Sequence, residues 1–140
     1  MASGREEQLK RMRPTLLIGL GGTGQKVLVQ LKAQFKRNYG DIPKSIEFLA
    51  FDTDQNVEET SLGNERIRLT VGTELINIGN VETAQIVNQL PRFPAMAAWM
   101  SEDKEKFPIR AVTMGAQQVR PLGRPAFFWH AGRIYTGVHT

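Results

Sequence analysis

The chain has 140 residues, enough for one domain able to bury a core without disulfide or metal staples. Its hydrophobic share of 41% and charged share of 23% are those of an ordinary globular domain. It has no cysteine and only two histidines, which argues against a disulfide framework, a thiolate metal site and a histidine metal cluster.

No run of about 18 apolar residues is present, so no membrane span is expected. The first 13 residues carry no signal-peptide-type apolar stretch, and a cytoplasmic location is the expectation. The net charge of +4 is unevenly placed. Residues 106–140 carry Lys106, Arg110, Arg120, Arg124 and Arg133 with no acid. An anionic ligand, an acidic neighbouring subunit and a solvated basic rim all fit that excess.

Residues 1–13 read as a polar arm. Ser3 and Glu6 have capping-box spacing, Glu6–Lys10 and Glu7–Arg11 are favourable i,i+4 pairs, and Pro14 ends the helix. Residues 14–131 read as an α/β domain, and residues 132–140 as a tail without clear pattern. Thr15 to Leu20 is an apolar run without alternation, which predicts a strand covered on both faces as in a parallel sheet. Gln25 to Arg37 predicts a helix with Val27, Leu28, Leu31 and Phe35 on one stripe. Asn38-Tyr39-Gly40 is its stop signal.

Ser45 to Phe51 is the second predicted strand. It runs into Asp52-Thr53-Asp54-Gln55 and a polar loop from Asn56 to Glu65. Arg66 to Val71 alternates and predicts a half-exposed edge strand. Gly72 to Asn80 reads as loop, Glu82 to Leu90 as a helix, and Ala95 to Met100 as one or two helical turns. Ser101-Glu102-Asp103 suits a helix start. Ile109 to Thr113 is the third predicted core strand, Met114 to Arg124 a loop, and Pro125 to His130 helical. Phe127, Phe128 and Trp129 are either core or an interaction surface.

Gly19-Leu20-Gly21-Gly22-Thr23-Gly24 lies between the first strand and the first long helix. Gly19 allows a tight turn off the strand. Gly21 and Gly22 let an anion approach the backbone N–H groups, Thr23 adds a hydroxyl donor, and Gly24 permits close packing of helix on strand. The helix start supplies unpaired N–H donors and the positive end of a dipole. The bland alternative is a turn that only joins strand to helix. A Walker loop is excluded, because it needs Gly-x-x-x-x-Gly-Lys-Ser/Thr and Lys26 follows Gly24 by two residues. A Rossmann NAD site wants an acid about 20 residues past the glycines. Asp52 and Asp54 stand roughly 30 past them, a difference that an insertion around Gly40-Asp41-Ile42-Pro43 accounts for, so NAD stays open.

Phe51-Asp52-Thr53-Asp54-Gln55 resembles the Asn-Thr-Asp-Ala-Gln loop that follows the second strand of FtsZ. Met114-Gly115-Ala116-Gln117-Gln118-Val119-Arg120-Pro121-Leu122-Gly123-Arg124 sits where tubulins and FtsZ carry a glycine-alanine phosphate loop. With Ile18-Gly19-Leu20-Gly21-Gly22-Thr23-Gly24, the chain resembles the bacterial tubulin-like proteins of the tubulin/FtsZ superfamily, over about Arg13 to His130. That resemblance implies a Rossmann-like parallel sheet with flanking helices. It implies GTP or GDP, with Mg2+ an option.

Carried over by position, Gly19, Gly21, Gly22, Thr23, Gly24 and Gln25 serve the phosphates. Asp52 and Asp54 lie on the phosphate or metal side, and Gly115, Ala116 and Gln117 near the terminal phosphate. Arg120 and Arg124 have no assigned counterpart, and guanidinium groups near such a loop suit bidentate phosphate recognition or pairing with acids.

The family's Gly-Gly-Gly-Thr-Gly-Ser/Thr signature, its long central helix and its second domain are not found in this sequence. The nucleotide-binding domain is therefore expected to be incomplete. Hydrolysis by this chain alone is not expected, and either self-assembly or a protein partner would complete it. The alternatives are a fragment of an NAD-binding Rossmann domain, and a non-enzymatic interaction protein with a degenerate site. His130 reads as structural. Nucleic acid is disfavoured, because the aromatics are clustered instead of interleaved with Lys/Arg.

Overall fold

The computed structural model describes residues 3–80, 83–100 and 120–139. The order of elements is α1 (Ser3–Arg11), β1 (Thr15–Leu20), α2 (Gly21–Tyr39), β2 (Ile46–Asp52), β3 (Glu59–Leu62), β4 (Glu65–Arg68), β5 (Leu75–Asn77), α3 (Thr83–Gln89), a 3-10 turn (Leu90–Arg92), α4 (Pro94–Met100), α5 (Arg120–Trp129) and α6 (Ala131–His139). The architecture is α/β. Strands β1, β2 and β5 form a parallel sheet in the order β1-β2-β5, and β3 pairs with β4 in a separate antiparallel ribbon. The chain divides into two compact units, Met1–Ala50 with Val57–Leu75, and Phe51–Asn56 with Ile76–Thr140.

The first unit is built on α2. Its buried stripe is Gln25, Leu28, Val29 and Ala33. Leu28 and Val29 join Phe48, Ala50, Leu69 and Leu75 in one cluster, with Leu17, Leu31, Phe35, Ile42 and Ile46 packed around it. Val27, expected on that stripe, is 53% exposed. It lies two residues, about 200°, around the helix from Gln25. The helix stops where expected, with the Gly40 N–H donating to the Lys36 carbonyl at 2.8 Å.

Strand β1 corrects the expectation of two covered faces. Gly19 is buried and Leu17 half-buried on the side that meets α2, while Leu16, Ile18 and Leu20 are 37%, 49% and 65% exposed. An apolar run without alternation does not report which face is covered. The loop expected over Asn56 to Glu65 instead contains β3. Leu62 pairs with Glu65 across the two-residue turn Gly63-Asn64, and Gly63 has φ 61°. That is the left-handed geometry a two-residue hairpin favours. Ile67 of β4 is buried, and the ribbon packs on α2. The third strand of the sheet is β5, in a segment expected to be loop. The third strand expected at Ile109 to Thr113 lies outside the described residues, as does the helix start at Ser101.

In the second unit, Phe51, Ile76, Ile78, Ile86, Leu90, Met96 and Ala126 are buried. Helix α3 packs on α5, and Trp129 stacks obliquely on Phe93 at 5.7 Å between ring centres. Trp129 is half-buried, whereas Phe127 and Phe128 remain exposed. The segment from Gly132, read as patternless tail, is largely helix α6, which has no buried residue.

His130 follows α5 with its Nε2 buried and, among the described residues, without a hydrogen-bond partner. Burial disfavours its charged form and Arg133 repels it, while a bond with the Asn80 backbone opposes both; the net effect lowers its pKa below the ordinary 6.5. The unfolded chain therefore binds more protons at mildly acidic pH. Stability from this group is present above pH 6.5 and is lost as pH falls through the lowered value. Comparing urea denaturation at about pH 7.5 and about pH 5, the wild type should lose more stability than His130→Gln. Equal losses would remove His130 from the account.

Candidate functional site

The glycine loop is a direct junction between β1 and α2, with no linker. Leu20 is the residue before the helix, with extended backbone (φ −116°, ψ 126°), and its apolar side chain makes no cap hydrogen bond to the helix start. The first turn holds no acid. The first four N–H groups of a helix lack intrahelical partners. Here they belong to Gly21, Gly22, Thr23 and Gly24, and Gly22 and Thr23 are exposed. The positive end of the dipole of this 19-residue helix is thus neither capped by the residue before it nor offset by a first-turn carboxylate.

Two glycines hold the junction closed. A Cβ on Gly19 would meet the Gly24 carbonyl oxygen at 2.7 Å, and a Cβ on Gly24 would meet the Gly19 carbonyl carbon at 2.8 Å. Backbone lies against backbone, and only hydrogen fits between. Gly21 does something different. Its φ is +68°, and among the described residues nothing lies within 4 Å of where its Cβ would be. It turns the chain from strand to helix while leaving open space beside the N–H groups. Gly19 and Gly24 thus set the packing, and Gly21 sets the turn and the opening.

Gln25 is 1% exposed, and its Oε1 accepts the Glu58 N–H at 2.6 Å. The neighbouring Lys26 ammonium lies 3.8 Å from the Glu58 carboxylate. The first turn of α2 therefore grips the chain entering β3 at two points. No sequence spacing signals this, because the partners are 33 residues apart.

Asp52 ends β2 and is 6% exposed. Its Oδ1 accepts the Asp54 N–H at 3.1 Å, and Asp54 Oδ1 accepts the Asn56 N–H at 3.0 Å. These are successive turns in which a side-chain oxygen replaces a backbone acceptor. Asn56 Nδ2 donates to Asp54 Oδ2 at 3.2 Å. Asn77 Nδ2 donates to the Asp54 carbonyl at 2.8 Å, while the Asp52 carbonyl accepts from Ile78 N–H at 2.8 Å. Asn77, at the end of β5, was not singled out from the sequence, yet it orients this turn.

Gly115, Ala116 and Gln117 lie outside the described residues. Arg120 opens α5, and Arg124 is exposed on the same helix. Among the described residues, no group of three or more His, Asp or Glu could hold a metal, and no helix is long and apolar enough to cross a membrane.

A glycine junction from strand to helix on a parallel three-stranded sheet defines a Rossmann-like α/β domain. The chain belongs to the tubulin-like family, whose model, described as "Tubulin like", matches residues 16–140. No curated protein and no solved structure matches it.

Two substitutions separate the parts of the junction. Gly24→Ala must push the α2 backbone off β1 and should lower stability by about 1–3 kcal/mol in urea denaturation; an unchanged midpoint would mean that the contact yields freely. Gln25→Met keeps the shape and removes the acceptor. It should cost about 1–3 kcal/mol and speed hydrogen exchange at the Glu58 amide. Unaltered exchange there would show that Gln25 does not protect it.

Proposed function

We propose that the chain is a guanine-nucleotide-binding module of tubulin-like type. The observation that carries the reading is the start of α2, which Leu20 does not cap, with Gly21 at φ +68° and, among the described residues, open space where its Cβ would stand. A phosphate there meets backbone N–H groups and the positive end of a helix dipole. The N–H groups of Gly22, Thr23 and Gly24 donate to phosphate oxygens, and the Thr23 hydroxyl adds a donor. Gln25 holds the first helical turn in place through Glu58. Membership of the tubulin-like family favours GTP or GDP as the ligand.

The further parts rest on that membership and on the FtsZ-like motifs. Asp52 and Asp54 are assigned to the phosphate or metal side, with Gly115, Ala116, Gln117, Arg120 and Arg124 completing the phosphate contacts. Mg2+ is commonly held by one or two carboxylates together with nucleotide phosphates, so it needs no dedicated protein cage. The proposed setting is bacterial cytoplasm, with a second copy or another protein completing the site. Hydrolysis by this chain alone is not part of the proposal.

The test is thermal denaturation with GTP, GDP, ATP and NAD titrated in parallel. A ligand that binds the native state raises the melting temperature progressively with concentration. GTP or GDP should do so, and Gly21→Val should abolish the response, since a β-branched residue is strained at positive φ and fills the open space. A response to NAD alone would replace this reading with the dinucleotide one. No response to any nucleotide would favour an interaction protein with a degenerate site.

A further inference from the structure

Helix α2 carries three lysines, Lys26, Lys32 and Lys36, and two of them are held tightly. Lys32 Nζ donates to Glu74 Oε1 and Lys36 Nζ to Glu65 Oε1, each at 2.6 Å. Lys26 is different. Its Nζ lies 3.8 Å from Glu58 Oε1, too far for a hydrogen bond, and its side chain is 66% exposed. Among the described residues its ammonium has no hydrogen-bond acceptor. The pair is an attraction between two charges largely in water, which is the weakest kind of ion pair.

Its position gives this loosely held cation a use. Lys26 stands four residues past Gly22, so it lies on the same face of α2, about 5.4 Å further along the axis. Helical side chains lean toward the N-terminus and cover the turn before their own Cα. The four-carbon stem of Lys26 can therefore carry its ammonium back over the exposed turn of Gly22 and Thr23. Glu58 is the anion already beside that turn. Its backbone N–H donates to the buried Gln25 Oε1 at 2.6 Å, which tethers the residue next to the start of α2. Its carboxylate accepts no hydrogen bond among the described residues.

We propose that Glu58 is a built-in competitor for the phosphate: its carboxylate holds Lys26 while the start of α2 is empty, and a bound phosphate takes Lys26 over. The inference rests on the phosphate site proposed above, and adds to it a ligand-binding lysine and a residue that sets the affinity. The exchange is favourable because a phosphate carries more charge than a carboxylate and gains charge-assisted hydrogen bonds, whereas the Lys26–Glu58 pair has no hydrogen bond to lose. Once Lys26 has moved, Glu58 is left as an unmatched carboxylate near the bound anion. It thus opposes binding twice, by holding the lysine and by repulsion.

Calorimetric titration of the full chain with GDP and with inorganic pyrophosphate tests this, in the wild type, Lys26→Gln, Glu58→Gln and the double variant. Both side chains are partly exposed and loosely paired, so the urea midpoints should match that of the wild type. Lys26→Gln should weaken both ligands on the order of tenfold. Glu58→Gln should tighten both about two- to fivefold, and that gain should shrink in the Lys26→Gln background, where no lysine is left to release. With the wild type binding, three results would each overturn the exchange and leave the phosphate site standing: unchanged affinity in Lys26→Gln, no tightening in Glu58→Gln, or the same Glu58→Gln gain with and without Lys26. Neither ligand binding the wild type would overturn the site and the exchange together. Pyrophosphate behaving as described while GDP fails to bind would support the exchange and remove the guanine reading.

Discussion

The contact between Gly19 and Gly24 is the constraint on which the first unit depends. A strand and the helix that follows it directly can approach this closely only if neither carries a side chain at the crossing. With Cβ positions at 2.7–2.8 Å from opposing backbone atoms, the smallest side chain would be a clash. The contact fixes the angle at which α2 leaves β1. From that angle follows which face of α2 is buried, and so the whole cluster of Leu28, Val29, Phe48, Ala50, Leu69 and Leu75. It also holds the first turn of α2 at the sheet end, where the apolar Leu20 leaves the helix start uncapped by its own N-cap residue. The packing and the placement of the helix start are thus consequences of one backbone contact, and Gly21 adds the turn that makes both possible.

A second level of order comes from polar groups that bridge distant segments. Gln25 takes the Glu58 N–H, Glu74 ties Lys32 to the Thr70 turn, and Asn77 reaches the Asp54 carbonyl. Each satisfies a backbone group or a charge that would otherwise lie partly buried without a partner, which is costly. These bonds explain why the segments between strands keep definite conformations although they contain few apolar residues.

Much of this was legible in the amino-acid sequence, and the parts that were not share a reason. The glycine junction, α2 with its stop at Gly40, β2 and the α/β class all follow from local patterns, and the tubulin-like resemblance is matched by the family model over residues 16–140. Strand β3, Glu59-Thr60-Ser61-Leu62, has no apolar alternation. It is a strand because β4 pairs with it and α2 covers the ribbon. Strand β5 is only three residues long, too short for periodicity to speak. The exposed face of β1 and the exposed Val27 show that composition of a run does not tell which side a neighbour covers. The bond from the Glu58 N–H to the buried oxygen of Gln25 is a tertiary fact with no local sign. The proposed phosphate residues Gly115, Ala116 and Gln117 lie outside the described residues, so motif order alone speaks for them.

Under the proposed function, the start of α2 receives a phosphate. Amide chemical shifts during a GDP titration test it most directly, because they report on the groups said to donate. The amides of Gly22, Thr23 and Gly24 should move first and furthest, with saturation at one affinity and with the same residues responding to GTP. Saturable GDP binding that leaves those three amides in place, while shifting residues elsewhere in the chain, would contradict it.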